Sequence, residues 1–220
     1  MKEQNQAVRI EPRWPAALAI LIVLFMLAAL PERVRMFPGH TSYIMGVVVL
    51  VPMVAVGLTA GSARWLRVER AIMLLFFVTV GAGTLANLSK LIGAMLHRSA
   101  EITGVQLLAS SIAIWVTNIL AFSLLYWQID RGGPEARLKR GGAKPHWLFP
   151  QEGGPESMQH DWWPTYVDYL FLGFSTATAF SPTDALPLTP CAKLLMMLES
   201  SISLMTIIVV AARSINILGI

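Results

Sequence analysis

The chain has 220 residues, 55% of them hydrophobic and 14% charged, with a net charge of +4. Soluble domains carry about 25% charged residues; here the charges are few and long apolar runs separate them, too much apolar surface for one small core to cover. The Lys and Arg residues sit at the edges of those runs, which points to a bilayer and away from nucleic acid, and the single cysteine, Cys191, excludes an intramolecular disulfide and a cysteine-based metal cluster.

The chain opens MKEQNQAVRIEPRW and then turns apolar up to Leu30. Pro31, Glu32 and Arg33 follow without a small-x-small cleavage site, so the run reads as a retained first span and not a removed signal. A crossing helix needs roughly 20 apolar residues, and residues 14–30 supply the first. After the connector PERVRMFPGHTS, residues 43–60 supply the second. GSARWLRVER, with three arginines, leads to a third run, 71–96, which contains Asn87 and Lys90. After HRSAEITG, residues 105–127 form the fourth, closed by Tyr126 and Trp127, which read as interfacial aromatics. Residues 1–127 are thus a four-helix transmembrane region. Residues 128–163 hold three Gly-Gly pairs and several prolines and read as an irregular polar loop, long enough to be functional. The last region, 164–220, contains a short apolar segment (164–180), a polar turn (181–190) and a final long apolar helix. No period of a repeat protein or inverted repeat is visible.

The segments 1–13, 61–70 and 128–163 carry three, three and five Lys or Arg, against two and one in 31–42 and 97–104. The positive-inside rule therefore places the N-terminus and the long loop in the cytoplasm. If 164–180 crosses, there are six spans and both termini are cytoplasmic; if it dips in and returns, there are five and the termini lie on opposite sides. The expected fold is all-α: a polytopic transmembrane helical protein of the cell membrane, with five full spans plus a short pore-helix-like segment before the last helix.

The stretch DYLFLGFSTATAFSPTDALPLTPCAK, residues 168–193, resembles the pore loop of potassium channels. Asp184, Pro187, Thr189 and Lys193 fall on that family's Asp, Pro, Thr and Lys after the filter, and Phe174, Thr176 and Thr178 on the Phe and Thr positions of its pore helix. Where the family has T-V-G-Y-G, this chain has Ala179, Phe180, Ser181, Pro182 and Thr183. Glycine permits filter conformations that side-chain-bearing residues resist, and proline fixes its own φ and has no N–H, so the carbonyl ladder of a potassium filter is disfavoured while the frame of helix, polar turn and inner helix is kept. Over residues 120–218 the chain is similar to an uncharacterised family of bacterial integral membrane proteins that share YW-x-x-DRGGP, FPQ and a D-Y-L-[YF]-L-x-F-[ST]-x-A-T-A-F-S-P-T-D block, here 126–134, 149–151 and 168–184. That resemblance implies a membrane protein and no particular activity.

Glu199 lies within the last apolar helix, where an ionised carboxylate is expensive and faces a bundle interior or water. It is read as a pore or ion site, or as a packing group paired across helices, with Lys90 one candidate partner; Lys90 alternatively snorkels to the interface. Thr176, Thr178, Ser181, Thr183, Asp184 and Glu199 form the candidate pore-facing or ion-facing set; the alternative for Ser181–Asp184 is an ordered turn. Ser200, Ser201, Ser203 and Thr206, and Ser110, Ser111, Thr117 and Asn118, read as helix-packing residues. The run 137–140 with Arg131 and Lys144 reads as a topology signal meeting anionic lipid, and Trp147, Trp162 and Trp163 as an interfacial belt.

The sequence offers no hydrolase elbow, no Walker loop and no paired metal ligands, and hence no enzyme, cofactor or metal expectation. Two functions are weighed. A pore-loop ion-channel-like protein predicts a homo-oligomer, a tetramer if it forms a pore, passing monovalent cations. A non-conducting scaffold or accessory subunit predicts that 164–190 packs on the chain's own helices and that Glu199 has a partner in the same chain. An ion-coupled transporter ranks last, for want of intramembrane ionisable groups.

Overall fold

The computed structural model describes residues 11–32, 34–36, 38–59, 62–96, 103–137, 143–153, 162–178 and 185–217. It is all-α apart from one two-residue strand pair among the described residues. The helices are α1 (Trp14–Ala29), α2 (Gly39–Leu58), α3 (Ala63–Leu96), α4 (Gly104–Ile129), the single turn α5 (Pro134–Arg137), α6 (Tyr166–Thr178) and α7 (Pro190–Ile217). Four of them, α2, α3, α4 and α7, are long and apolar enough to cross a membrane, and α1 is a shorter apolar helix.

Local sequence explains the boundaries. Pro15 sits in the first turn of α1, where its missing N–H is not needed. Ala16, Ala19, Ile20, Val23 and Leu24 repeat at helical spacing and form its buried face. Thr103 begins α4 with a capping box: its hydroxyl accepts from the Gln106 N–H at 3.2 Å, and the Gln106 side chain accepts from the Thr103 N–H at 3.1 Å. Past α4, Arg131, Gly132 and Gly133 all adopt positive φ. Glycine does this freely, and a Cβ on Gly133 would stand 3.0 Å from the Gln128 carbonyl oxygen. The DRGGP segment is thus the hairpin bend that ends α4.

α4 is the central post. It packs against α1, α3, α6 and α7, while α2 packs on α1 and α3. In its most apolar stretch 72% lies inside the bundle, against 28% for α2 and for α7. One end of the bundle, here the polar end, gathers the starts of α1, α3, α6 and α7 and the close of α4. Arg13, just before α1, meets Glu69 of α3 at 2.9 Å and Glu135 of α5 at 2.7 Å. Asp130 accepts from the Tyr169 hydroxyl of α6 at 2.6 Å and from the His146 backbone N–H at 2.7 Å. His146 precedes β1 (Trp147–Leu148), which pairs antiparallel with β2 (Leu186–Pro187), and β2 leads straight into α7. α6 therefore starts at the polar end and the chain is back there when α7 begins. Thirteen residues rise about 20 Å, short of a hydrocarbon core of about 30 Å. The chain thus enters both α6 and α7 from the same end of the bundle.

Several sequence expectations are corrected. α3 begins at Ala63 and not near 71, because Glu69 is neutralised inside the bundle by Arg13 and helix-favouring Arg and Glu carry the helix outward. Tyr126 and Trp127 do not face outward as interfacial aromatics would: both are fully buried, with Trp147 against Tyr126 and with Arg137 and Glu11 bonded to Trp127. The described residues of 128–163 include α5, β1 and a 3-10 turn at Pro150–Gly153. Trp147 is likewise buried, donating to the Met196 sulfur at 3.3 Å, and Arg137 is buried and not lipid-facing.

Candidate functional site

The candidate site is the joint of α4, α6 and α7. Glu199 is nine residues into α7, about 14 Å along it, and is fully buried. Its Oε2 accepts from the Tyr126 hydroxyl of α4 at 2.6 Å. Asn118, two turns before Tyr126 on the same face of α4, donates to the Glu199 backbone oxygen at 3.1 Å and to the Ser203 hydroxyl at 2.9 Å. Oε1 has no partner among the described residues.

Gly173 admits α6 to this joint. A Cβ there would lie 2.5 Å from Ser123 Oγ, 3.2 Å from Glu199 Oε1 and 3.3 Å from the Ile119 carbonyl oxygen. Only a residue without a side chain lets three helices approach this closely. At the end of α6, Ser200 of α7 donates to the Thr176 carbonyl at 3.0 Å, and Thr178 Oγ1 lies 2.8 Å from the Phe174 carbonyl and 3.4 Å from the Ser175 carbonyl. The last carbonyls of a helix lack partners within it, and these hydroxyl groups reach two of them. At the other end, the Thr165 N–H and hydroxyl both donate to Asp168 Oδ2, at 2.7 and 2.8 Å.

Of the candidate set, Thr176 is buried, with its hydroxyl on the Leu172 carbonyl at 2.8 Å. Thr178 and Glu199 are placed as above; Ser181, Thr183 and Asp184 lie outside the described residues. Lys90 is not the partner of Glu199. It is at the opposite end, reaching the Arg35 carbonyl at 3.0 Å. Sequence reasoning missed Tyr126, Ser123 and Gly173 as members of the joint. The usable signal is the facing pair of stripes, Asn118 with Tyr126 on α4 and Glu199 with Ser203 on α7, each at helical spacing.

Around the polar end of the joint several further charges are paired. Arg137 donates to the Trp127 carbonyl at 2.6 Å and to Glu11 at 3.0 Å, its guanidinium 5.0 Å from the centre of the Tyr169 ring. Trp127 Nε1 donates to the other Glu11 oxygen at 2.7 Å, and Arg131 pairs with Glu152. Burial works against the Arg13 charge and is the largest single influence on it, but hydrogen bonds and attraction from Glu69 and Glu135 together outweigh burial and raise its pKa. The residues of the YWxxDRGGP, FPQ and DYL segments thus meet in one place: Tyr126 on Glu199, Asp130 on Tyr169, and the Phe149 ring edge-on to Tyr169 at 5.4 Å. No His, Cys, Asp and Glu grouping suited to a metal occurs among the described residues.

Comparison of the chain with family models, with curated proteins and with solved structures finds no match in any of the three.

Proposed function

We propose that the chain is a multi-pass integral protein of the cell membrane, in which α1, α2, α3, α4 and α7 cross and α6 is a half-crossing wedge, and that it works as a non-conducting scaffold or accessory subunit. The observation that carries this reading is the Glu199–Tyr126 hydrogen bond at 2.6 Å, inside the joint of α4, α6 and α7. An ion path would leave that carboxylate facing water; here α4, α6 and α7 enclose it, and the hydroxyls of Thr176 and Thr178 are turned onto their own helix. The membrane part rests on the outward faces. Val47, Val51, Val54 and Leu58 of α2, and Leu194, Met197, Leu204 and Ile208 of α7, are exposed, a larger apolar surface than soluble monomers carry. Arg64, Arg67 and Arg70 in the first turns of α3, with Arg131 and Arg137 of the long loop, lie at the polar end, which supports a cytoplasmic side for that end.

One observation favours a second reading, a pore-loop channel: α6 and the strand that follows begin and end on the same side, as a pore loop does. It requires a homotetramer passing monovalent cations. Purified protein in liposomes, assayed for potassium, sodium and proton flux, separates the two. The scaffold reading expects no flux above empty liposomes and a lower melting temperature for Glu199→Gln. Cation flux that disappears in Asp184→Asn, together with a tetramer in lipid, would overturn it in favour of the channel.

A further inference from the structure

Between α6 and the Phe149–Gln151 stretch lies a groove that encloses about 40 Å³. That volume holds roughly three water-sized groups. Asp168, in the first turn of α6, lines it and is partly buried. Its Oδ2 accepts from the Thr165 N–H and hydroxyl, which is all that a helix cap requires, and its Oδ1 is left over. No Lys or Arg pairs with Asp168 among the described residues. Two turns along the same face of α6, about 10 Å further on, Ser175 also lines the groove. It is 4% exposed, and its hydroxyl makes no hydrogen bond among the described residues. The hydroxyls of Thr176 and Thr178, on the same helix, fold back onto the carbonyl four residues earlier; that of Ser175 does not. The rings of Phe149 and Phe171 complete a lining that suits an organic cation. Among the described residues of the lining Asp168 alone is charged, and the other polar side chains, Gln151 and Ser175, can both accept. An anion is therefore excluded. Outside the groove, Val167, Phe171 and Phe174 form an exposed apolar stripe along α6.

We propose that this groove binds a primary ammonium group, and that in a membrane the headgroup of phosphatidylethanolamine supplies it. The ammonium donates to Asp168 Oδ1, a charge-assisted bond, and the Ser175 hydroxyl donates to an oxygen two carbons further along the ligand. An ammonium and an oxygen at that separation, with a hydrogen bond of about 2.8 Å at each end, cover roughly the distance between the two side chains. The ammonium and its two carbons also match the enclosed volume. A trimethylammonium group exceeds that volume and has no N–H to donate. From the polar end inward the molecule offers a carboxylate, then a hydroxyl, then an apolar stripe, which is the order in which this lipid presents its ammonium, its phosphate ester and its acyl chains. The leaflet, cytoplasmic by the charge distribution, rests on the orientation proposed above; the ammonium chemistry does not.

The test is made on the full chain in nanodiscs of phosphatidylcholine, with and without phosphatidylethanolamine, and in phosphatidylcholine discs with free ethanolamine added, read by melting temperature and by lipid retained in native mass spectra. Both lipids are zwitterionic, so the surface charge of the disc stays constant. The expected result is a higher melting temperature and retained phosphatidylethanolamine, with apparent affinity about tenfold weaker in Asp168→Asn, which removes a charge-assisted contact, and about threefold weaker in Ser175→Ala, which removes a neutral one. Glu32→Gln, whose side chain is 91% exposed, keeps the wild-type response. A gain from free ethanolamine alone supports the site with a soluble amine as the source. Equal melting in all three conditions, or a response that both groove variants keep, overturns the proposal. Asp168→Asn retains an oxygen for the Thr165 N–H; Ser175→Ala breaks no hydrogen bond, so it decides the question if Asp168→Asn does not fold. Failure here leaves the membrane reading standing; that reading fails separately, if the chain stays dispersed in buffer without detergent.

Discussion

α2 and α4 are both long apolar helices, yet they use their side chains in opposite ways. α2 turns Val47, Val48, Val51, Val54 and Leu58 outward and buries a narrow seam that includes Ser42, Gly46 and Val49. α4 is covered on most of its circumference, and Ser110, Ser111, Thr117, Asn118 and Ser123 are all buried. The difference shows where each helix gets its stability. An outer helix needs apolar surface to match its surroundings, whereas a central one has lost any solvation advantage for hydrocarbon over hydrocarbon and is held by close approach and interhelical hydrogen bonds.

The contrast breaks hardest where a charge is stranded inside. The Arg13 and Glu69 side chains are 8% and 3% exposed; Arg13→Met leaves Glu69 buried and unpaired and should destabilise the fold by about 3–5 kcal/mol, read by unfolding in denaturing detergent. Adding Glu69→Leu should recover most of that loss, and no recovery would refute the pairing argument. Next is Gly173→Val, which drives methyl groups into Ser123 and Glu199; overpacking predicts a loss of about 1–3 kcal/mol, with protease cleavage appearing near α6. Tyr126→Phe removes one interhelical hydrogen bond and should lower stability by about 1 kcal/mol; a larger drop than Gly173→Val would invert the ranking of packing over hydrogen bonding at the joint. At the small end, Val51→Leu on the outward face of α2 should change stability by less than about 0.5 kcal/mol, and a large effect there would show that α2 is covered by something other than lipid.

The placement of the apolar helices is legible in the sequence because hydrocarbon thickness sets a length that any reader can count. That α6 and α7 start at the same end of the bundle is legible only as one of two options, since a turn that returns and one that continues have the same composition. Tyr126 shows why the joint is hidden. An aromatic pair at a helix end looks the same whether it anchors at headgroups or is covered from within the chain, and only the packing of Arg137 and Trp147 against it decides. Glu199 is conspicuous as a carboxylate in an apolar run, but its partner is 73 residues away on a helix whose register against α7 no local pattern gives. Glu69 is hidden for the converse reason, since three neighbouring arginines make its segment look like a connector.

The strand pair at the polar end has a mechanical meaning. β1 and β2, with His146 Nδ1 2.7 Å from Thr189 Oγ1, fasten the stretch after α4 to the threshold of α7, on either side of α6. Severing the backbone between Gly153 and Trp162 would therefore leave two fragments still clasped by that ladder and by the seams of α4 with α6 and α7. Co-expressed as separate polypeptides, residues 1–153 and 162–220 should assemble and co-purify, with the clasp standing in for the lost peptide bonds.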